Sequence, residues 1–189
     1  MEHFTKILEI LAWPVTTISL AFILKKPIFE ILPQLSRLKY GNMEVEFNKK
    51  LDKLQVQSDA VKSEASQHIE HDKEEDFYLE QVKKTSPRAA ILESWIALEN
   101  SITSSYKLLH PDKKGKVIAL SGILKSLVNQ EIISSDTYSI VRELRTLRNK
   151  AVHNYSFNVT EAEASKFMHV SREQADVIIG EIWQRVSSC

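Results

Sequence analysis

Residues 86–109 read SPRAAILESWIALENSITSSYKLL, and this stretch decides the fold. Ser86 can accept a backbone N–H at a helix start, and Pro87 falls at the first helical position, where a missing N–H costs nothing. Ile91, Leu92, Trp95, Leu98, Ile102, Tyr106 and Leu109 then return every three or four residues, the period of one helix face. The pattern predicts a helix of about six turns with an apolar stripe that only other helices can cover.

Toward the C-terminus the same period recurs. HPDKKGK, residues 110–116, is a basic loop, and Val117 to Asn129 follows as a second helix carrying Ile118, Leu120, Ile123, Leu124, Leu127 and Val128. Ser134, Ser135 and Asp136 open a third, which runs through Ile140, Leu144, Leu147 and Ala151. Thr160-Glu161-Ala162-Glu163 is a capping box. It opens a fourth helix with Phe167, Val170, Ala175, Ile178, Ile179, Ile182 and Val186 on its apolar side. Four helices joined by short loops predict an all-α, up-and-down four-helix bundle over residues 86–189. Four glycines and five prolines in 189 residues are too few for a turn-rich β fold. The only cysteine, Cys189, excludes an intrachain disulfide and a cysteine-based metal site.

Upstream, the charge falls into blocks. Residues 1–40 hold five Lys/Arg against three Asp/Glu, residues 41–80 five against eleven, and residues 81–189 fifteen against eleven. Within the first block, Ile7 to Leu24 (ILEILAWPVTTISLAFIL) carries one charge, Glu9. As a helix it would be about 27 Å long, near the thickness of a bilayer core, which predicts a transmembrane anchor within residues 1–40. Lys25, Lys26, Arg37 and Lys39 follow the span against Lys6 before it, so the bias in positive charge puts the C-terminal side in the cytoplasm of a cytoplasmic (inner) membrane protein. PIFEILPQLSRL is expected at the interface, and Met43, Val45 and Phe47 alternate as in a short strand or juxtamembrane turn. Residues 41–85 read as an acidic, partly helical or flexible linker, with a sparse heptad at Phe47, Leu51, Leu54, Ser58, Val61 and Ala65. His68 and His71 stand near Glu64 and Glu75, a set too incomplete to assign a metal site.

The third helix contains VRELRTLRNKAVHN, residues 141–154. With Ile140 at 0° and about 100° per residue, Leu144, Leu147 and Ala151 lie within about 40° of it and mark the core side. Arg148 then falls at about 80°, Val141 near 100°, Val152 near 120°, Arg145 near 140°, Asn149 near 180° and His153 near 220°. Arg145, Asn149 and His153 form an i, i+4, i+8 row pointing away from the core. Val141 and Val152 are expected to leave an apolar stripe beside it, which a partner helix would cover.

SPRAAILESWIALENSI, GKVIALSGILKSLVNQEIIS and LRTLRNKAVHN together resemble a HEPN domain, in particular the bacterial membrane-tethered and stand-alone HEPN-like proteins, over residues 86 to 187. The family's mark is an arginine, four to six residues and a histidine near the end of the third helix, with a polar residue often following the arginine. Arg148, Asn149 and His153 match it. The resemblance implies a homodimer whose paired arginines and histidines cut RNA without a metal ion or other cofactor. Arg148, Asn149 and His153 would be catalytic, while Arg145 and Lys150 would hold substrate. Imidazole can act as acid or base, and a guanidinium can bind two phosphoryl oxygens. The expected function is a membrane-anchored endoribonuclease acting as a toxin or phage-defence effector, with an unidentified regulatory partner. The alternatives are a non-catalytic HEPN interaction module tethered to the membrane, with Glu99 and Glu143 pairing the arginines, and a membrane-disrupting effector with a helical sensor domain.

Overall fold

The computed structural model describes residues 13–14, 16–19, 22–25, 44–62, 73–113, 115–154 and 158–188. The chain divides into two compact units, Met1–Met43 and Glu44–Cys189. In the first, residues 13–14, 16–19 and 22–25 are helical, with Trp13, Ile18, Phe22 and Ile23 exposed. Much of the expected span at Ile7 to Leu24, and all of PIFEILPQLSRL, lies outside the described residues. No helix among the described residues is long and apolar enough to cross a membrane.

The second unit is all-helical among its described residues. Its helices are α1 (44–60), α2 (Lys73–Thr85), α3 (Pro87–Leu109), α4 (Leu120–Asn129), α5 (Ser135–His153) and α6 (Glu161–Ser187), with one 3₁₀ turn at Pro111–Lys113. The four helices expected after residue 86 all form. Ser86 caps α3 by accepting from Ala89 N, and Pro87 sits at its start. Ser134 caps α5 by accepting from Thr137 N at 3.0 Å. Thr160 and Glu163 close a complete capping box on α6: Glu163 Oε2 accepts from Thr160 N at 2.9 Å, and Thr160 Oγ1 from Glu163 N at 3.2 Å. Between α4 and α5 the chain reverses through Glu131 at φ 56°, with Ile132 N donating to Leu127 O at 2.9 Å. This is the left-handed helix ending that usually takes glycine, here followed by the buried Ile132.

Among α2 to α6, α3 and α6 form the most extensive helix pair, and α5 packs on both. Trp95, Leu98, Ile102, Ile140, Leu144, Leu147, Phe167, Val170 and Ile178 fill the core between them. Val186, expected on the apolar side of α6, is exposed near the helix's far end, as is Trp183.

The compact unit begins at Glu44 rather than at Ser86, where the sequence places the start of the folded domain. Val45 and Phe47 belong to a helix, not to a strand or turn, and Phe47, Leu51 and Leu54 join the central core instead of a separate coiled coil. The spacing is that of any helix presenting one face to a partner; here the partner is the bundle. Polar contacts fix the direction of α1. Lys166 donates to Asn48 Oδ1 and pairs with Asp52, and Ser58 reaches Glu173 at 2.8 Å, so α1 runs parallel to α6. Lys150 pairs with Glu46 at 3.1 Å and Glu143 with Lys50 at 2.7 Å, so it runs antiparallel to α5. With α1, α2, α3 and α5 around it, α6 is buried on most sides through its middle, which explains the buried polar residues Ser171, Glu173 and Gln174 there.

Candidate functional site

α5 presents two polar edges. On the outer one, Arg142, Arg145, Thr146, Asn149 and His153 are all exposed, spanning about 140° to 240° of the wheel measured from Ile140. The predicted row Arg145, Asn149, His153 is therefore together on one free face. Arg142 belongs to it as well and was missed, although its angle of about 200° places it between Arg145 and Asn149. The acidic residues of α5, Asp136 and Glu143, lie off this face, which is left cationic along the helix.

The flank differs from expectation. Val141 is buried, at 1% exposure, and Val152 is half-buried, so the apolar stripe beside the row is narrower than the wheel implied. Buried Val141 carries the core arc of α5 past 90°, and α3, α4 and α6 all pack on this helix. Lys150 is not in the row either. It turns toward α1 and pairs with Glu46, and that bond holds the Glu46 carboxyl below its ordinary range.

Arg148 takes a position of its own. Its guanidinium carbon lies 5.2 Å from the ring centroid of Trp95 on α3. Trp95 is 2% exposed, and its indole N–H donates to Glu99 Oε2 at 3.1 Å, one turn further along α3. Glu143 is bonded to Lys50. The two carboxylates that could have neutralised the arginines are thus directed elsewhere, and among the described residues no carboxylate forms an ion pair with Arg148. Its Nε is buried without a hydrogen-bond partner.

Two other features compete for a functional role. A cleft of about 630 Å³ lies between α2, α3 and α6, walled in part by Asp76, Leu79, Ser94, Ser101, Met168 and Arg172. Neither Arg148, Asn149 nor His153 reaches it, and Arg172 is ion-paired with Asp76 across it. Asp59, His169 and Glu173 bring potential metal-ligating atoms within 4.8 Å of one another. The Lys62 ammonium lies among them, pairing with Asp59 at 3.0 Å and with Glu173, and the Glu173 bond holds Lys62 above the usual lysine range. The cluster is a joint between α1 and α6 whose positive charge is already supplied. His68 and His71 lie outside the described residues.

No family model, no curated protein and no solved structure matches the chain. Its function has to be argued from its own residues.

Proposed function

We propose that this chain is a HEPN-like endoribonuclease that works as a homodimer, with its up-and-down bundle in the cytoplasm and the apolar N-terminal segment anchored in the cytoplasmic membrane. A toxin or phage-defence effector is the setting that suits such an activity. The observation that carries the reading is Arg148, free of any carboxylate among the described residues and one residue from the exposed face that bears Asn149 and His153.

RNA cleavage by the adjacent 2′-hydroxyl needs three things: a base for that proton, an acid for the leaving 5′-oxygen, and positive charge for the phosphorane. His153 provides imidazole at the accessible end of α5. One chain contributes one such histidine in this row; a two-fold pair contributes two, one for each proton transfer. Arg148 supplies planar charge for two phosphoryl oxygens, and Asn149 orients either the ring or the phosphate. Arg142 and Arg145 attract the RNA backbone without reading its bases.

The test uses the full chain in detergent or lipid and follows RNA cleavage. His153→Ala should reduce it roughly 10² to 10⁴-fold, the usual contribution of a positioned acid or base. Arg148→Ala should reduce it about 10² to 10³-fold, the range for one lost donor at a developing oxyanion. Equal activity in all three proteins, or none at any protein concentration, would sink the proposal. A second reading, an interaction module, draws on half-buried Val152 beside the polar row, which a partner helix would cover. On that reading His153→Ala alters self-association and RNA stays intact.

A further inference from the structure

We infer that Trp95, fixed by Glu99, is the positioning residue for Arg148, and that together they form a seat for a phosphodiester oxyanion. The inference rests on the ribonuclease reading for the identity of that oxyanion, but it stands on separate geometry. A guanidinium is a flat fork whose donors lie in its plane, so its orientation decides which of them meet a ligand. Arg148 lies over the Trp95 ring at 5.2 Å, within the range of a cation–π contact, and that contact limits how the fork can turn. The indole is itself held: it is 2% exposed, and its N–H is bound to Glu99 Oε2 at 3.1 Å.

The donors of Arg148 are not equivalent. Nε is sealed from water and has no acceptor, while neither terminal nitrogen is buried and unpartnered in the same way. A charged donor that has lost hydration on one edge without gaining a partner gains more than usual from an anion at its open end. An arginine serving only the fold would be expected to meet a carboxylate, and none among the described residues pairs with it. The arrangement fits a side chain aimed by its stem and ring contact and left open at its tip. Glu99 bonds the ring N–H and forms no ion pair with the cation, so it fixes the indole without capping the guanidinium.

The experiment uses the full chain carrying Trp13→Phe and Trp183→Phe, both at exposed positions, so that Trp95 is the single indole. A 2′-O-methyl RNA oligonucleotide, which cannot be cut by its own 2′-oxygen, is titrated while Trp95 emission is followed. Binding should shift or quench that emission, and Arg148→Lys, which keeps the charge but loses the planar fork, should abolish the change. In cleavage assays on the otherwise native chain, Trp95→Phe keeps a ring face but loses the bond to Glu99, and should lose less activity than Trp95→Leu. Trp95→Leu should lose tenfold or more, in kcat rather than KM. Should Trp95→Leu fail to fold, the fluorescence titration decides. RNA cut normally with an emission that ignores the oligonucleotide, or a folded Trp95→Leu as active as the native chain, overturns the positioning inference and leaves the ribonuclease reading intact. No cleavage by any variant, together with an Arg148-dependent emission change, removes the ribonuclease reading and supports the seat.

Discussion

The two polar edges of α5 are built from similar residues and do opposite things. On the inner edge, Glu143 and Lys150 each meet an opposite charge on α1, at 2.7 and 3.1 Å. On the outer edge, Arg142, Arg145, Asn149 and His153 stand exposed, without a carboxylate from their own helix among them. Arg148 lies on the other flank of the outer edge, against an aromatic ring. Charges that fasten a helix to its neighbour come in complementary pairs, whereas a one-sign row is stable only because water solvates it, and it is therefore available to an anionic partner.

The strongest way to break this contrast is to remove what holds α1 in place. Leu51 is fully buried in the shared core, and Leu51→Ala should cost about 2 to 5 kcal/mol in chemical denaturation, the usual range for a buried leucine cut to alanine. A loss below 0.5 kcal/mol, well under the roughly 2 kcal/mol floor for such a change, would mean that α1 is a tether and its pairing with α5 incidental.

Next comes the joint at Glu173, which accepts from Ser58 and pairs with Lys62 and His169. Glu173→Ala leaves the buried Ser58 and Gln174 pair short of an acceptor and should cost about 1 to 3 kcal/mol. Urea midpoints of the variant and the native chain would show it.

A smaller effect is expected at Lys50. Its bond to Glu143 holds its pKa above the ordinary 10.5, so the contribution is complete below that value and fades as pH rises through the raised one. Both side chains are about one-third exposed, at 36% and 34%, and solvent screening keeps the pair to about 0.2 to 1 kcal/mol. Lys50→Met should therefore melt slightly earlier than the native chain near neutral pH, with the gap closing above pH 10.5. Glu46, held low by Lys150, behaves in the opposite sense: its contribution is present above 4.5 and goes as pH falls through the lowered value. The smallest change is predicted for Asn149→Ala on the free edge, within about 0.5 kcal/mol of native stability. A loss above 1 kcal/mol, about twice that surface range, would make the outer row structural and end its claim to function.

The helices from residue 86 onward were legible because their start signals are local. Ser86, Ser134 and the Thr160/Glu163 box each sit just before a strong 3.6-residue stripe. α4 starts later than the apolar pattern, at Leu120 rather than Val117, and Val117 is left fully exposed. α1 was harder to read. Phe47, Leu51 and Leu54 give the same spacing in a coiled coil as in a bundle, and the next position is Ser58, whose partner Glu173 is 115 residues away. No local signal reports a partner at that distance. α2 offers still less, with Leu79 its one buried side chain among the described residues. At the site, the helical angle alone placed Asn149 and His153. It could not orient Arg148, since a long side chain at the shoulder can turn either way and the deciding contact, Trp95, lies on another helix. Nor could it show that Lys150 faces α1.

The antiparallel course of α1 along α5 puts the start of α1 beside the end of α5. The chain enters that unit at Glu44, whose Oε1 accepts from Asn158 N at 3.3 Å, just beyond the helix end that carries His153. Tension applied through residue 43 would load the contacts one after another: Glu44 with Asn158, Glu46 with Lys150, Lys50 with Glu143, and only afterwards Ser58 with Glu173. The first bonds to be loaded are thus those nearest His153, and Phe47 of the core, between Glu46 and Lys50, is loaded with them.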